Sequence, residues 1–206
     1  MTIPRNQVLR FSLLAIVAAA LVVSAVGPTD RLTWWLEVLP VLIATPLLVV
    51  TVRRFPLTNL LYMLIALHAL ILILGAHYTY AQVPLGYWAQ DSLDLMRNPY
   101  DRFGHFVQGF VPAIIVREIL LRKSVLRRGG WLFFLVVSVC VAFSACFEFF
   151  EWSAAIVGGG SAEQYLATQG DEWDTQWDMF LALCGSLVAQ LTLARAHDRE
   201  LVRLGV

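Results

Sequence analysis

Six stretches of this chain are too long and too apolar to sit in water: residues 8–26, 34–52, 57–77, 103–121, 131–157 and 176–194. A spanning helix needs about 20 mostly apolar residues, because the hydrocarbon core is ~30 Å thick and each residue rises ~1.5 Å. The fourth run is the least apolar, since it carries His105, Gln108, Arg117 and Glu118. In lipid every backbone N–H and C=O needs a partner within the protein, so only helices and closed barrels span. A barrel would show ~10-residue segments of alternating polarity, and none occur. Composition agrees. Of 206 residues, 59% are hydrophobic and 15% charged, against ~45–50% and ~25% in soluble domains. The expected fold is a single all-α domain over residues 1–206, a polytopic membrane protein of about six helices whose partner is the lipid bilayer. Net charge is zero, which gives no reason to expect a nucleic-acid partner.

Orientation follows from Lys and Arg, which collect in cytoplasmic loops. Arg5, Arg10, Arg53, Arg54, Arg122, Lys123, Arg127, Arg128, Arg195, Arg199 and Arg203 fall on one side. Only Arg31, Arg97 and Arg102 fall on the other, and Arg117 lies within the fourth run. Eleven against three predicts both termini in the cytoplasm. Asp30, Glu37, Asp91, Asp94, Asp101, Glu163, Asp171, Glu172 and Asp174 then collect outside. A rival reading of the N-terminus is a cleaved signal peptide ending at Val23-Ser24-Ala25. Its apolar stretch is long for that role, and five more spanning runs follow.

The outer loops, 78–102 and 158–175, are long, and long loops are usually functional or disordered. The first holds Tyr78, Tyr80, Tyr87, Trp88 and Tyr100, which suit a belt at the lipid–water interface. The second opens Gly158-Gly159-Gly160-Ser161, a stretch suited to a hinge. Cys140, Cys146 and Cys184 show no ligand spacing and read as small apolar packing residues. No phosphate loop, dinucleotide fingerprint or nucleophile elbow is present.

The informative residues are polar groups at the outer ends of the last three runs. Asp101 and His105 are four apart and share a helical face, with Gln108 one turn further in. Glu148 and Glu151 share a face of the fifth run. They lie about 26–30 Å along the helix from Trp131, hence near the outer boundary. Asp171, Asp174 and Asp178 form one stripe if their segment is helical, with Gln176 beside them. Topology puts all three sets at one depth.

Carboxylates near lipid are costly, so intramembrane ionisable groups are functional candidates. Crowded carboxylates in a poorly solvated site cannot all ionise, and one protonated acid can stand beside one ionised base. The predicted catalytic set is His105, Glu148, Glu151, Asp174 and Asp178, with Asp101, Arg102, Gln108, Asp171 and Gln176 supporting. One His among carboxylates also suits a divalent cation, with His105, Glu148 and Asp178 as its ligands.

Each residue also has a plainer reading. Asn98, Pro99 and Asp101 fit a capped helix start, and Asp174 fits another. Glu148 and Glu151 can reach the interface, and His105 can simply bond to Asp101 or Glu148. His68 and His77 lie on the third run, His77 at the end suited to the interface. Arg117 is expected to snorkel from its place beside Glu118, and His197 to be solvated in a cytoplasmic tail.

Three motifs stand out: Asp101-Arg102-Phe103-Gly104-His105-Phe106, Glu148-Phe149-Phe150-Glu151-Trp152, and Gln169-Gly170-Asp171-Glu172-Trp173-Asp174-Thr175-Gln176-Trp177-Asp178-Met179. In them the chain resembles the YjdF family of bacterial inner-membrane proteins, a domain of unknown function. The resemblance implies a multi-pass protein of the bacterial inner membrane and no established activity. A more distant similarity is to VanZ-like membrane proteins, carried by Asp101-Arg102, His105, Asp178 and Gly185; Ala182 stands where their pattern has Asn.

Three function classes follow. One is a membrane-embedded hydrolase or transferase acting at the outer face on lipid or lipid-linked envelope substrates. Another is a non-catalytic structural or envelope-stress protein whose polar groups only hold helix ends together. The third is an ion- or proton-coupled transporter, against which the acids gather at one end and the helix pairs show no convincing inverted repeat.

Overall fold

The computed structural model describes residues 5–158 and 167–205. Gly159, Gly160 and Ser161 of the expected hinge, and Glu163, lie outside the described residues. The described helices are α1 (Arg5–Ser24), α2 (Arg31–Thr51), α3 (Asn59–Tyr78), α4 (Pro84–Leu93), α5 (Tyr100–Lys123), α6 (Gly130–Gly158) and α7 (Asp174–Arg203). All but α4 are long and apolar enough to cross a membrane, so the six-span, all-helical expectation holds. The exterior is apolar: Phe11, Val50, Phe134, Phe143 and Leu191 are all exposed. Glu118, Asp178 and His197 are buried. That inversion suits a chain whose solvent is lipid.

Helix boundaries follow local chemistry. α1 stops at Ser24, short of residue 26, where Gly27 takes a left-handed φ of 64° ahead of Pro28. α2 starts early, at Arg31, because the Asp30 side chain accepts a bond from Thr33 N at 2.7 Å. α5 starts at Tyr100 rather than 103, as Asn98 Oδ1 accepts from Tyr100 N at 3.0 Å. α7 runs from Asp174 to Arg203, nine residues beyond the expected 194, because its last turns are anchored by fully buried His197 and Leu201. α4 lies in what the sequence presents as loop. Pro84 opens it, and Asp94 closes it in a left-handed conformation. Ten residues are too few for a span, and this helix lies flush with no apolar run.

α3 joins two sets of helices. It packs against α1 and α2 on one side and α5 on the other, while α5, α6 and α7 pack on one another. Buried Leu61, Ala113, Ile114, Val136 and Ala189 centre one core, and Val17, Val41, Ala66, Ala69 and Ile73 another.

The tightest approach is between α5 and α7, where small residues let backbones touch. A Cβ on Gly109 would lie 1.9 Å from the Ala182 carbonyl oxygen, and one on Gly185 would lie 2.0 Å from that of Phe106. Both partner atoms are backbone, so nothing flexible can move aside. Gly109→Ala or Gly185→Ala should therefore destabilise the protein by about 1–3 kcal/mol. Thermal unfolding in detergent micelles should show the loss, and Gly129→Ala, placed in open space but at a strained φ, should show less.

Candidate functional site

The α5–α7 contact sets the register of the polar residues above it. His105 lies one turn before Gly109 on α5, and Asp178 two turns before Gly185 on α7. His105 and Asp178 are buried to 5% and 2% exposure. His105 Nε2 lies 3.7 Å from Asp101 Oδ1 and 3.8 Å from Asp178 Oδ2. His105 Nδ1 lies 3.7 Å from Glu148 Oε1 of α6. These separations exceed hydrogen-bond length. Asp101 Oδ2, His105 Nδ1, Glu148 Oε1 and Asp178 Oδ1 are all buried without a hydrogen-bond partner. Buried polar atoms are normally satisfied, so an orphaned imidazole nitrogen with three orphaned carboxylate oxygens on its neighbours requires a reason.

α6 delivers its acids by turning its faces inside out. Glu148 and Glu151 point inward, while Phe149 and Trp152 are exposed. Glu151, His105 and Gln108 line one small cavity of about 100 Å³. Three further polar lining residues come from outside the expected set: Glu37 of α2, His68 of α3, and Tyr80. Glu37 is buried among the cavity walls, at the end where the acids collect. An acid inside an apolar run is itself a signal. Tyr80 had no such mark. It takes a left-handed φ of 34°, and its ring lies flat where a Cβ on Gly75 would be, 2.5 Å from that position. Burial, with Glu37 adding to it, pushes the Tyr80 phenol well above its usual range, so it remains an O–H donor.

The rim is an ion-pair clasp. Arg97, absent from the expected set, bonds Asp174 at 2.5 Å and the Ala167 carbonyl at 3.2 Å. It also lies 3.8 Å from Asp101 Oδ2. Arg102 bonds Asp171 at 2.5 Å and covers the Trp177 ring. Asp174 is thus an ion-pair partner and makes no side-chain cap of α7. Asp101 likewise turns inward; Pro99 takes the cap position, and Asn98 before it accepts from Tyr100 N. Asn98 and Gln169 pair through both backbone and side chain, tying the start of α5 to the segment before α7. Gln176 is exposed and does not join the cluster, because two residues from Asp178 is the opposite face of a helix. His77 stays apart too, its Nδ1 2.9 Å from the Ser24 carbonyl. Of the loop aromatics, Tyr87 and Trp88 are exposed as a belt would be, whereas Tyr80 and Tyr100 are buried. Cys140 packs inside, but Cys146 is exposed on the apolar exterior.

A second cluster occupies the basic end. Fully buried Glu118 accepts bonds from Thr58 Oγ1 at 2.9 Å, Arg122 at 2.7 Å and His197 Nε2 at 2.9 Å. Arg117 reaches His197 Nδ1 and Asp198, both at 2.9 Å. Arg117 therefore does not snorkel and His197 is not solvated. An arginine can only donate, so Nδ1 of His197 accepts and its Nε2–H donates to Glu118. α7 extends just far enough to deliver this imidazole to α5.

This architecture defines a multi-pass helical membrane protein with an internal His–carboxylate cluster near one end. Within that class, the chain belongs to the family described as predicted membrane protein (DUF2238), whose pattern matches residues 9–199. It is 52% identical over 186 residues to the inner membrane protein YjdF of Escherichia coli (strain K12), covering 90% of this chain and 89% of that one. The YjdF resemblance and the inner-membrane location are thereby borne out. No solved structure matches the chain.

The two clusters differ in satisfaction, which predicts different responses. Glu118→Ala strips four donors, the Thr58 N–H included, of their shared buried acceptor and should cost about 3–5 kcal/mol, read as a large drop in unfolding temperature. His105→Ala breaks no hydrogen bond among the described residues and should cost markedly less.

Proposed function

We propose that this protein is a membrane-embedded hydrolase or transferase acting on lipid or lipid-linked envelope substrates, with a divalent cation held by Asp101, His105 and Asp178. The observation that carries this reading is that one ligand atom from each residue lies within 4.8 Å of the other two, all three side chains being buried. Ligands bound ~2.0–2.2 Å from a shared ion can be up to ~4.4 Å apart, so the 3.7–3.8 Å separations fit a cation between them. Repulsion among the buried acids would be relieved. Glu148 sits on the opposite imidazole nitrogen, where a carboxylate commonly orients a metal-bound His. The sequence reading had Glu148 as a ligand; the geometry favours Asp101 in that place.

Three protein ligands leave a coordination position open, and a bound cation makes water nucleophilic near neutral pH. Glu151, on the same cavity, is the group best placed to take or give a proton. A volume of about 100 Å³ admits an ion and a few waters. A lipid-borne substrate would present only its reacting group from the acidic face, which the positive-inside rule assigns to the outside.

Transport is disfavoured by the stretch of α5 below the site. Residues 109–116 are eight consecutive apolar residues, about 12 Å of helix, between Gln108 and Arg117. A purely structural role draws support from Arg97, which binds acids on two helices. The ion separates the two readings. Metal analysis of detergent-purified protein should find about one zinc or manganese ion per chain. Asp178→Asn and His105→Gln should abolish retention at normal protein level, Glu148→Gln should weaken it about 10–100-fold, and Gln176→Ala should leave it unchanged. Asp178→Asn should also fail to complement the envelope phenotype of a deletion strain. Equal ion retention by Asp178→Asn, or full complementation, would overturn the proposal.

A further inference from the structure

A second cavity, of about 500 Å³, lies at the opposite end of the molecule between α1, α2 and α3. α2 supplies one wall. Pro40 and Pro46 lie inside that helix, and each removes a backbone donor from its ladder. The buried residues of α2 are Thr33, Trp34, Glu37, Val38 and Val41, all in its first half. Beyond them its contacts are made by partly buried side chains, Leu48 among them. α1 stays against α3, held by Val17 on Ala66 and Ala69 and by the Asn59–Asn6 bond at 3.0 Å. The groove lies between α1 and the second half of α2, with α3 behind it.

Its walls are apolar, including Leu14, Leu48 and Ile65, but two arginines line it at the basic end: Arg10 and Arg53. Arg10 lies over the Tyr62 ring at 4.7 Å, which fixes the guanidinium at the groove. Its Nε is buried without a hydrogen-bond partner. An arginine with a free donor, stacked in place above an apolar slot, is short of an oxyanion acceptor. The size and the mostly apolar lining with few polar groups match a ligand site of ~300–1,000 Å³. An apolar slot between spanning helices suits an acyl chain.

We propose that this groove binds one anionic phospholipid, its acyl chain between α1 and α2 and its phosphate on Arg10 and Arg53. Basic pockets between spanning helices at the cytoplasmic side recognise anionic headgroups in this way, each arginine adding to the attraction. The site is separate from the His105 cluster and does not depend on the reading given to it.

Native mass spectrometry of the detergent-solubilised full chain tests this, with phosphatidylglycerol and phosphatidylcholine of matched chains as probes. The wild type should retain one phosphatidylglycerol, at least about tenfold in preference to phosphatidylcholine. Arg10→Ala with Arg53→Ala should lose the preference, and Arg54→Ala, outside the groove, should keep it. Thr45→Phe fills the groove from α2 and leaves both arginines, so it should lower retention of both lipids; it decides the matter if the double variant fails to fold. Four results would overturn the proposal: undiminished preference in the double variant, equal retention of the two lipids, undiminished retention in Thr45→Phe, or displacement of phosphatidylglycerol by millimolar inorganic phosphate. A lipid-free species at twice the chain mass would do so as well, by assigning the groove to a second copy.

Discussion

The contact on which the rest depends is backbone against backbone, where Gly109 of α5 meets Ala182 of α7 and Gly185 meets Phe106. In lipid, helices gain nothing from hiding apolar side chains from one another, so close packing must supply the association. Two glycines staggered across one crossing allow that. They also fix which residues lie opposite one another a turn or two away. At one end the crossing sets Asp101 and His105 against Asp178. At the other it sets Arg117 and Glu118 against His197. Ala182 belongs to this contact, fully buried beneath Gly109, so any larger side chain there would part the helices.

Both polar clusters hang on the same pair of helices, yet they are built differently. At the basic end donors and acceptors are matched: Glu118 has Thr58, Arg122 and His197, and Asp198 has Arg117 and Arg128. A buried charge so surrounded is tolerable and tells little about activity. At the acidic end there are more acids than donors, and the imidazole is ringed at 3.7–3.8 Å without a hydrogen bond to any of three carboxylates. The arginines that would neutralise them, Arg97 and Arg102, are drawn to the rim by Asp174 and Asp171. The interior is left with charge to spare. That asymmetry, more than the presence of ionisable residues, separates a candidate site from a structural network.

Much of this was legible in the sequence because lipid imposes a length and a polarity on each span. The six runs, the depth shared by His105, Glu148 and Asp178, and the inward set on α6 all follow from counting residues. What was not legible depends on facing and on distant partners. Hydropathy cannot tell which side of α2 meets the bundle, so Glu37 counted as one more acid at the outer end. Hydropathy also ended α7 too soon: residues 195–203 are polar, and only the Glu118 and Arg117 partners on α5 reveal that His197 is buried. Tyr80 required knowledge that Gly75 leaves room for its ring, a contact that no periodicity encodes. Arg97 looked like a loop charge because its acids come from two separate helices.

α2 ties the two ends of the molecule together. Its first half is bound firmly: Asp30 caps it, Trp34 Nε1 bonds Ser24 Oγ at 3.1 Å, and Val38 is fully buried. That half is the one that carries Glu37 to the cavity beside Tyr80 and Asp101. The second half is more exposed, since lipid solvates Leu47 and Val50 as well as another helix would, while Leu48 still packs on the core. The same helix thus places an acid at one end and lines the slot at the other, from a composition that alone reads as inert.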